Sequence, residues 1–501
     1  GVFSASGAAA IGRRVSRTLL MQPLLSPSRR LLDPMISPRS DGGRAEEDEA
    51  VVEATASFGR VEEAFVSSAR QPEASVFSSW CVLANTIVGV GTLSLPWAMS
   101  TTGLGLGLLI LFTAGAIAAL TLHFLARISL TLTSGSTGPA ELTFYDACMT
   151  AAPLARYVVD AAIAVKCFGV ATSYLQVLSQ LGGALVAHVA ARNAGLSGAL
   201  VGLELLSADS GAPSERLRRC LVVLAILGVS PVVFHKRITK TALQNLLAIC
   251  AWLFVACLIV MFSAAGSSPS LDGWASWQFL PPSSMDRWTV MSVVPIFIFS
   301  FTCHQNLFSI ANELKDRSVS RLGRVSTGAV CTGASLYVAV GVCAYCHFGT
   351  SLRQNILLNL PRCLPVLVAE VWIVVAIAFT YPLQLHPCRR SLAILVSAYL
   401  GRFLDRREDR ILRRILTLAI LAGTGSVAIL IKDLGITMAF VGAVGSNTVV
   451  LIMPAFLFLR FYRDARGPMW YVALLVFCLG CIILPTCLTA VIRKILMGPP
   501  R

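Results

Sequence analysis

From residue 79 onward the chain alternates long apolar runs with short polar segments. Eleven runs can be drawn, at 79–100, 103–125, 157–190, 219–234, 241–264, 288–311, 325–347, 362–386, 412–431, 434–459 and 470–492. Most reach the roughly 20 residues that an α-helix needs to cross about 30 Å of hydrocarbon. Lipid offers backbone amides no partners, so such runs must be helices, and a barrel would instead show ~10-residue alternating segments. Residues 1–78 differ: they are rich in Ser, Arg and Pro, hold no run of spanning length and carry an acidic block from Glu46 to Glu49. They read as a disordered cytosolic tail. Their first 32 residues lack acids, as in an organelle transit peptide, but a solvated tail is the default expectation. The pattern thus divides the chain into a tail (1–78), a membrane domain (79–495) and a short C-terminal tail (496–501).

Composition closes off the soluble alternatives. Of 501 residues 55% are hydrophobic and 13% charged, with a mean hydropathy of +0.73, whereas soluble domains carry about 25% charged residues. The net charge of +15 would suggest nucleic acid in a soluble protein, but here it follows topology. Taken alternately, one set of loops holds 20 basic residues, among them Arg156, Arg317, Arg390, Arg413 and Arg460, and the other holds 8, among them Arg218, Arg353, Arg362 and Lys432. The richer set and the N-terminus face the cytosol, and eleven spans put the C-terminus on the other side. Most of the 15 cysteines lie in apolar runs and read as small buried hydrophobes. Cys346 and Cys363 flank one polar loop, which leaves a disulfide or two free thiols open.

Two spans are interrupted. The first contains Asn85-Thr86-Ile87-Val88-Gly89-Val90-Gly91-Thr92-Leu93-Ser94-Leu95-Pro96. Glycine costs about 1 kcal/mol and proline about 3 kcal/mol in a helix interior, so the backbone is expected to unwind there and offer its amides and carbonyls to a cavity; close packing through the glycines is the alternative. The sixth span has Pro295 and then the polar run Ser300-Phe301-Thr302-Cys303-His304-Gln305-Asn306. Breaks five spans apart suggest that spans 1–5 and 6–10 form an inverted repeat, with half-helix ends facing a zwitterion and a cation near the midplane.

The runs Asn85 to Ala98, Lys166 to Gln176, Phe299 to Leu314, Thr380 to Arg389 and Phe440 to Pro454 together resemble signatures of the amino acid/auxin permease family, within which the sodium-coupled neutral amino acid transporters are the nearest likeness. The resemblance covers roughly residues 75–495. It implies an all-α integral membrane protein of about 11 transmembrane helices, a LeuT-type 5+5 inverted repeat plus one extra helix, and alternating-access transport of amino acids. It also implies an ion site between the first and eighth spans at Asn85 and Thr380, whose amide and hydroxyl oxygens suit Na⁺. Each has an ordinary alternative, a helix bridge for Asn85 and a bond back one turn for Thr380.

The unwound segments Val88, Gly89, Val90, Gly91 and Thr92, with Ser300, Phe301 and Thr302, are the candidate contacts for the substrate's backbone groups, and Tyr174 is a candidate wall residue. Ionisable groups within spans usually face a pathway or a partner. His304, Glu370 and Lys166 are therefore candidates for proton coupling or gating. Mutual neutralisation of Glu370 and Lys166 is slightly preferred over a proton relay, and a structural role is open for His304.

The preferred reading is an Na⁺-coupled secondary transporter of small or medium neutral amino acids. A proton-coupled vacuolar or lysosomal-type transporter and an amino-acid sensor of the same fold are the alternatives. No phosphate loop, His-Glu-x-x-His or Gly-x-Ser-x-Gly is present, so no catalytic residue, bound metal or cofactor beyond a coupling Na⁺ or H⁺ is expected. The expected partners are an amino acid and the lipid bilayer, not nucleic acid; the expected state is a monomer. The expected location is the plasma membrane or an endolysosomal or vacuolar membrane.

Overall fold

The computed structural model describes residues 74–134, 142–207, 212–234, 241–265, 277–283, 285–400 and 405–497. Most of the expected tail, residues 1–73, and residues 498–501 lie outside the described residues. Helices appear in the order α1 (Val76–Ile87), α2 (Gly91–Thr102), α3 (Leu104–Ser134), α4 (Phe144–Ala151), α5 (Ala155–Ala191), α6 (Ala194–Gly202), α7 (Glu215–Phe234) and α8 (Thr241–Ala264). They continue with α9 (Arg287–Ser300), α10 (Leu307–Glu313), α11 (Val319–Phe348), α12 (Leu364–Leu400), α13 (Arg406–Leu430), α14 (Leu434–Val441), α15 (Met453–Phe461) and α16 (Pro468–Met497). The α1–α2 pair is one span bent by 56°, and with eight further spans it passes the length and apolarity expected of a membrane crossing. Helices α7 and α8, 20 and 24 residues long, complete the eleven.

Helix α1 begins at Val76, capped by the Ser75 hydroxyl accepting from the Ser78 amide. That start lies three residues before the run read from hydropathy. Ahead of it, Ala74 pairs with the end of α10: its amide donates to the Glu313 carbonyl at 2.9 Å and its carbonyl accepts from Lys315 at 3.1 Å.

The spans pack as two groups. In one, α11 lies on α1 and α3 while α2 lies on α9; in the other, α5 lies along α12 and also meets α7 and α13. The segment from α14 to α15 touches α5 and α9 and so wedges between the groups. It is continuous but widened into two π turns, Gly442–Ser446 and Thr448–Ile452. Such wide turns let Gly445 press on Lys166 of α5: a Cβ at Gly445 would stand 2.8 Å from the Lys166 Cβ and 2.9 Å from its Cα.

Candidate functional site

Both expected breaks are present. Residues Val88–Val90 separate α1 from α2, and Pro96 is tolerated inside α2. In the sixth span α9 ends at Ser300, residues 301–303 are unwound, and a tight turn His304–Asn306 leads into α10. The breaks abut: a Cβ at Gly91 would lie 2.9 Å from the Ser300 hydroxyl oxygen and 3.4 Å from its Cα, so the missing side chain at Gly91 eases the close approach of the two segments.

Between the helix groups lies a cavity of about 1380 Å³. Its deep wall includes Asn85, Val88, Gly89, Lys166, Tyr174 and Thr380, with Trp252, Gln305, Asn306 and Gln384. Its outer wall carries Arg156, Asp160, Arg390, Asp409 and Arg413. Those basic residues belong to the loop set assigned to the cytosol, so the cavity opens inward. The opposite face is shut. Gln176 of α5 donates to the Ile431 carbonyl (2.7 Å) and to the Thr437 hydroxyl (2.9 Å), Asn355 donates to Gln180 (3.2 Å), and the Gly435 amide donates to Gln354 (2.8 Å). Over this face the Lys494 ammonium sits 4.5 Å from the centre of the Trp97 ring.

Asn85 and Thr380 thus line one cavity from α1 and α12. The Thr380 hydroxyl spends its single proton on its own helix, on the carbonyls of Ala376 (3.0 Å) or Ile377 (3.2 Å), which leaves its lone pairs for an acceptor role. Tyr174 and Gln384 lie beside it. Of the expected substrate contacts, Val88 and Gly89 line the cavity. Val90, Gly91, Thr92, Ser300, Phe301 and Thr302 are buried in the packed wall behind it. The Ser300 and Thr302 hydroxyls bond back to Ile296 (2.8 Å) and Ile298 (3.3 Å).

The ionisable residues separate. Glu370, 2% exposed, pairs with Arg362 at 2.6 Å and not with Lys166; that expected neutralisation is corrected. The loop before α12 places Arg362 over the start of the helix, near the sealed face, while Lys166 faces the cavity from mid-α5. No acidic oxygen lies within 4.0 Å of the Lys166 ammonium among the described residues. His304 does not line the cavity: fully buried, it sits 2.9 Å from the Thr121 hydroxyl of α3. The Thr121 hydroxyl is also within hydrogen-bond distance of the carbonyls of Ile117 (2.8 Å) and Ala118 (3.1 Å), so His304 belongs to a buried polar cluster on α3. Cys346 and Cys363 are both free thiols.

The partners of the charges at the cytosolic mouth are not legible in the sequence. Asp160 of α5 accepts from Ser391 of α12 at 3.0 Å, with Arg390 and Arg156 nearby. Ser391 and Arg390 lie beyond the apolar run, on a helical extension that hydropathy does not see. Asp286, outside the membrane, caps α9 by accepting from the Thr289 amide at 2.8 Å. Its bonds to the Thr289 hydroxyl and amide hold its carboxyl below the usual range.

Comparison with known proteins gives the family and the fold. Residues 72–493 match the family model described as transmembrane amino acid transporter protein. Vacuolar amino acid transporter 5 of Schizosaccharomyces pombe is 32% identical over 79% of this chain and 87% of its own length. A putative sodium-coupled neutral amino acid transporter 10 of Xenopus laevis is 25% identical over 77% of this chain and 35% of that one. Among solved structures, the inward-facing conformation of Mhp1 superposes with a TM-score of 0.51 at 12% identity, covering 86% of this chain and 92% of that chain. This likeness supports the LeuT-type fold.

Proposed function

The chain belongs to the transmembrane amino acid transporter family, and from that premise we propose that it carries small or medium neutral amino acids by alternating access, coupled to Na⁺. The observation that carries this reading is the meeting of Asn85, the unwound Val88–Gly89 and Thr380 in one cytosol-facing cavity. The amide and hydroxyl supply hard oxygen ligands for Na⁺. The unwound backbone recognises the ammonium and carboxylate common to amino acids. The acids that line the cavity are each engaged, Asp146 by Thr143, Asp160 by Ser391 and Asp409 by Arg413, which favours a neutral over a cationic substrate. Transport requires this cavity to close to the cytosol while the Gln176, Asn355 and Gly435 contacts release on the other face.

One observation favours a second reading. Lys166, buried in the same cavity with no acidic oxygen within 4.0 Å of its ammonium among the described residues, would compete electrostatically with Na⁺, which favours a proton as the coupling ion. The vacuolar relatives suit that reading, and they make an endolysosomal or vacuolar membrane the companion proposal to the plasma membrane. Uptake into reconstituted vesicles, with a panel of labelled amino acids under an Na⁺ gradient and separately under a pH gradient, tests both. Uptake driven only by the Na⁺ gradient is expected; uptake driven only by pH selects the second reading, and none under either gradient refutes transport.

A further inference from the structure

Ile87 and Ser300 are the last residues of α1 and α9, so both carbonyls stand at half-helix C-termini where the i+4 amide is lost. Each end carries partial negative charge. Both point at one atom. The hydroxyl oxygen of Tyr337, fully buried on α11, lies 2.6 Å from the Ile87 carbonyl oxygen and 2.9 Å from that of Ser300. A Cβ at Gly333, one turn before Tyr337, would stand 2.5 Å from the Ile87 side chain, so α11 is held close to the first break. The Phe301 ring meets the Tyr337 ring edge-on at 5.5 Å and fixes it against the second. The Thr92 hydroxyl lies beside the phenol but makes no well-aligned bond to it.

Two converging negative helix ends form a place where a cation would be favoured. A phenol has one proton and carries no charge, and it satisfies the two carbonyls by sharing that proton between them. We propose that Tyr337 is a positioning residue whose hydroxyl takes the point a second cation would otherwise occupy, joining spans 1 and 6 into one unit that moves with a single coupling cation per substrate. The carbonyls of Ile87 and Ser300 are then spoken for, and the substrate's ammonium is left to the Val88–Gly89 backbone that faces the cavity. The single-cation part of this inference rests on the transport reading above; the positioning part does not.

The test compares native protein, Y337F and Y345F in lipid nanodiscs by amide hydrogen exchange. Tyr345 is a control two turns along the same helix, also buried, whose hydroxyl accepts from the Gln278 amide. Y337F is expected to speed exchange roughly tenfold, the typical worth of one buried hydrogen bond, in residues 86–93 and 300–306 together, while Y345F leaves both segments at the native rate. Faster exchange in one segment only, in neither, or equally in Y345F overturns the positioning role. In vesicles, native uptake should move one charge per neutral amino acid, and Y337F should raise KM more than it lowers the maximal rate. Two charges per substrate overturn the single-cation claim, a measurement that also serves if Y337F fails to insert. A native protein that moves no amino acid would refute the transport reading while leaving the exchange result to judge Tyr337.

Discussion

Removing Arg362 should uncover a buried charge. Glu370 is 2% exposed and its Oε2 has no hydrogen-bond partner, so Arg362, at 2.6 Å from Oε1, is what compensates its charge. Breaking a fully buried pair by deleting one partner costs about 3–5 kcal/mol. The Arg362 side chain is 31% exposed, so water can partly replace it, and about 2 kcal/mol is the better expectation for Arg362→Ala. Glu370→Gln keeps an oxygen that accepts from the guanidinium and loses only charge assistance, about 1 kcal/mol. In the double mutant the buried charge is gone, so the penalties should not add, with a coupling of about 1–2 kcal/mol. The same cycle between Glu370→Gln and Lys166→Met should give additivity within about 0.5 kcal/mol, since those side chains occupy different regions. Reversible unfolding in mixed micelles reads all of these. A Glu370–Lys166 coupling as large as the Glu370–Arg362 one, or an Arg362→Ala protein as stable as the native, would refute the assignment.

The remaining predictions concern the cavity and its frame. Asn85→Ala and Thr380→Ala should each weaken Na⁺ activation of uptake by about 10-fold or more, the worth of one charge-assisted ligand; sodium dependence that survives both changes removes the ion site. Gly445→Ala should cost about 1–3 kcal/mol through overpacking against the Lys166 backbone, while Gly89→Ala, whose added methyl would meet nothing within 4 Å, should leave stability unchanged in the same unfolding assay. Asp286→Ala should cost about 1 kcal/mol as a lost cap. Because the folded Asp286 carboxyl is held below its usual range, its contribution is complete above the unfolded value near pH 4 and fades as pH falls through the folded one. A stability difference between Asp286→Ala and native protein that stays constant down to about pH 2 would contradict it.

Hydropathy located the spans because lipid imposes one requirement, backbone pairing within the segment, that the length of each apolar run reports directly. The breaks were legible for a related reason: Gly89, Gly91 and the polar run from Ser300 to Asn306 are costly in an uninterrupted membrane helix. What the pattern missed depends on packing between distant segments. Arg362 reaches Glu370 only because the loop before α12 turns back over the helix start, and no spacing rule distinguishes it from Lys166. Helix α12 continues to Leu400, well past the apolar run that ends near residue 386, since Arg389 and Arg390 extend the helix into the polar zone without adding hydrophobicity. Tyr337 gave no signal at all: a tyrosine in an apolar span acquires its role only when two helix ends meet around it. The π turns of Gly442–Ile452 likewise follow from how the segment fits between α5 and α9.

The hydrogen bonds across the shut face and the charges around the open one bear on how readily the molecule can invert. On the shut face the polar links at Gln176, Asn355 and Gly435 are neutral hydrogen bonds worth about 1 kcal/mol each in net terms. Their sum, about 4 kcal/mol, is of the size that differential binding of a substrate and an ion can overcome, since moving an equilibrium from 1:99 to 99:1 takes about 5.5 kcal/mol. On the open face, Arg156, Asp160, Arg390, Asp409 and Arg413 stand around the mouth with both signs present. Closing the cytosolic side would bring these charges together and withdraw them from water, a change whose Coulomb gain and desolvation cost largely offset each other. If Asn85, Val88–Gly89 and Thr380 form the proposed site, its occupancy would have to decide which face opens, which is the physical requirement for coupling one solute's movement to another's gradient.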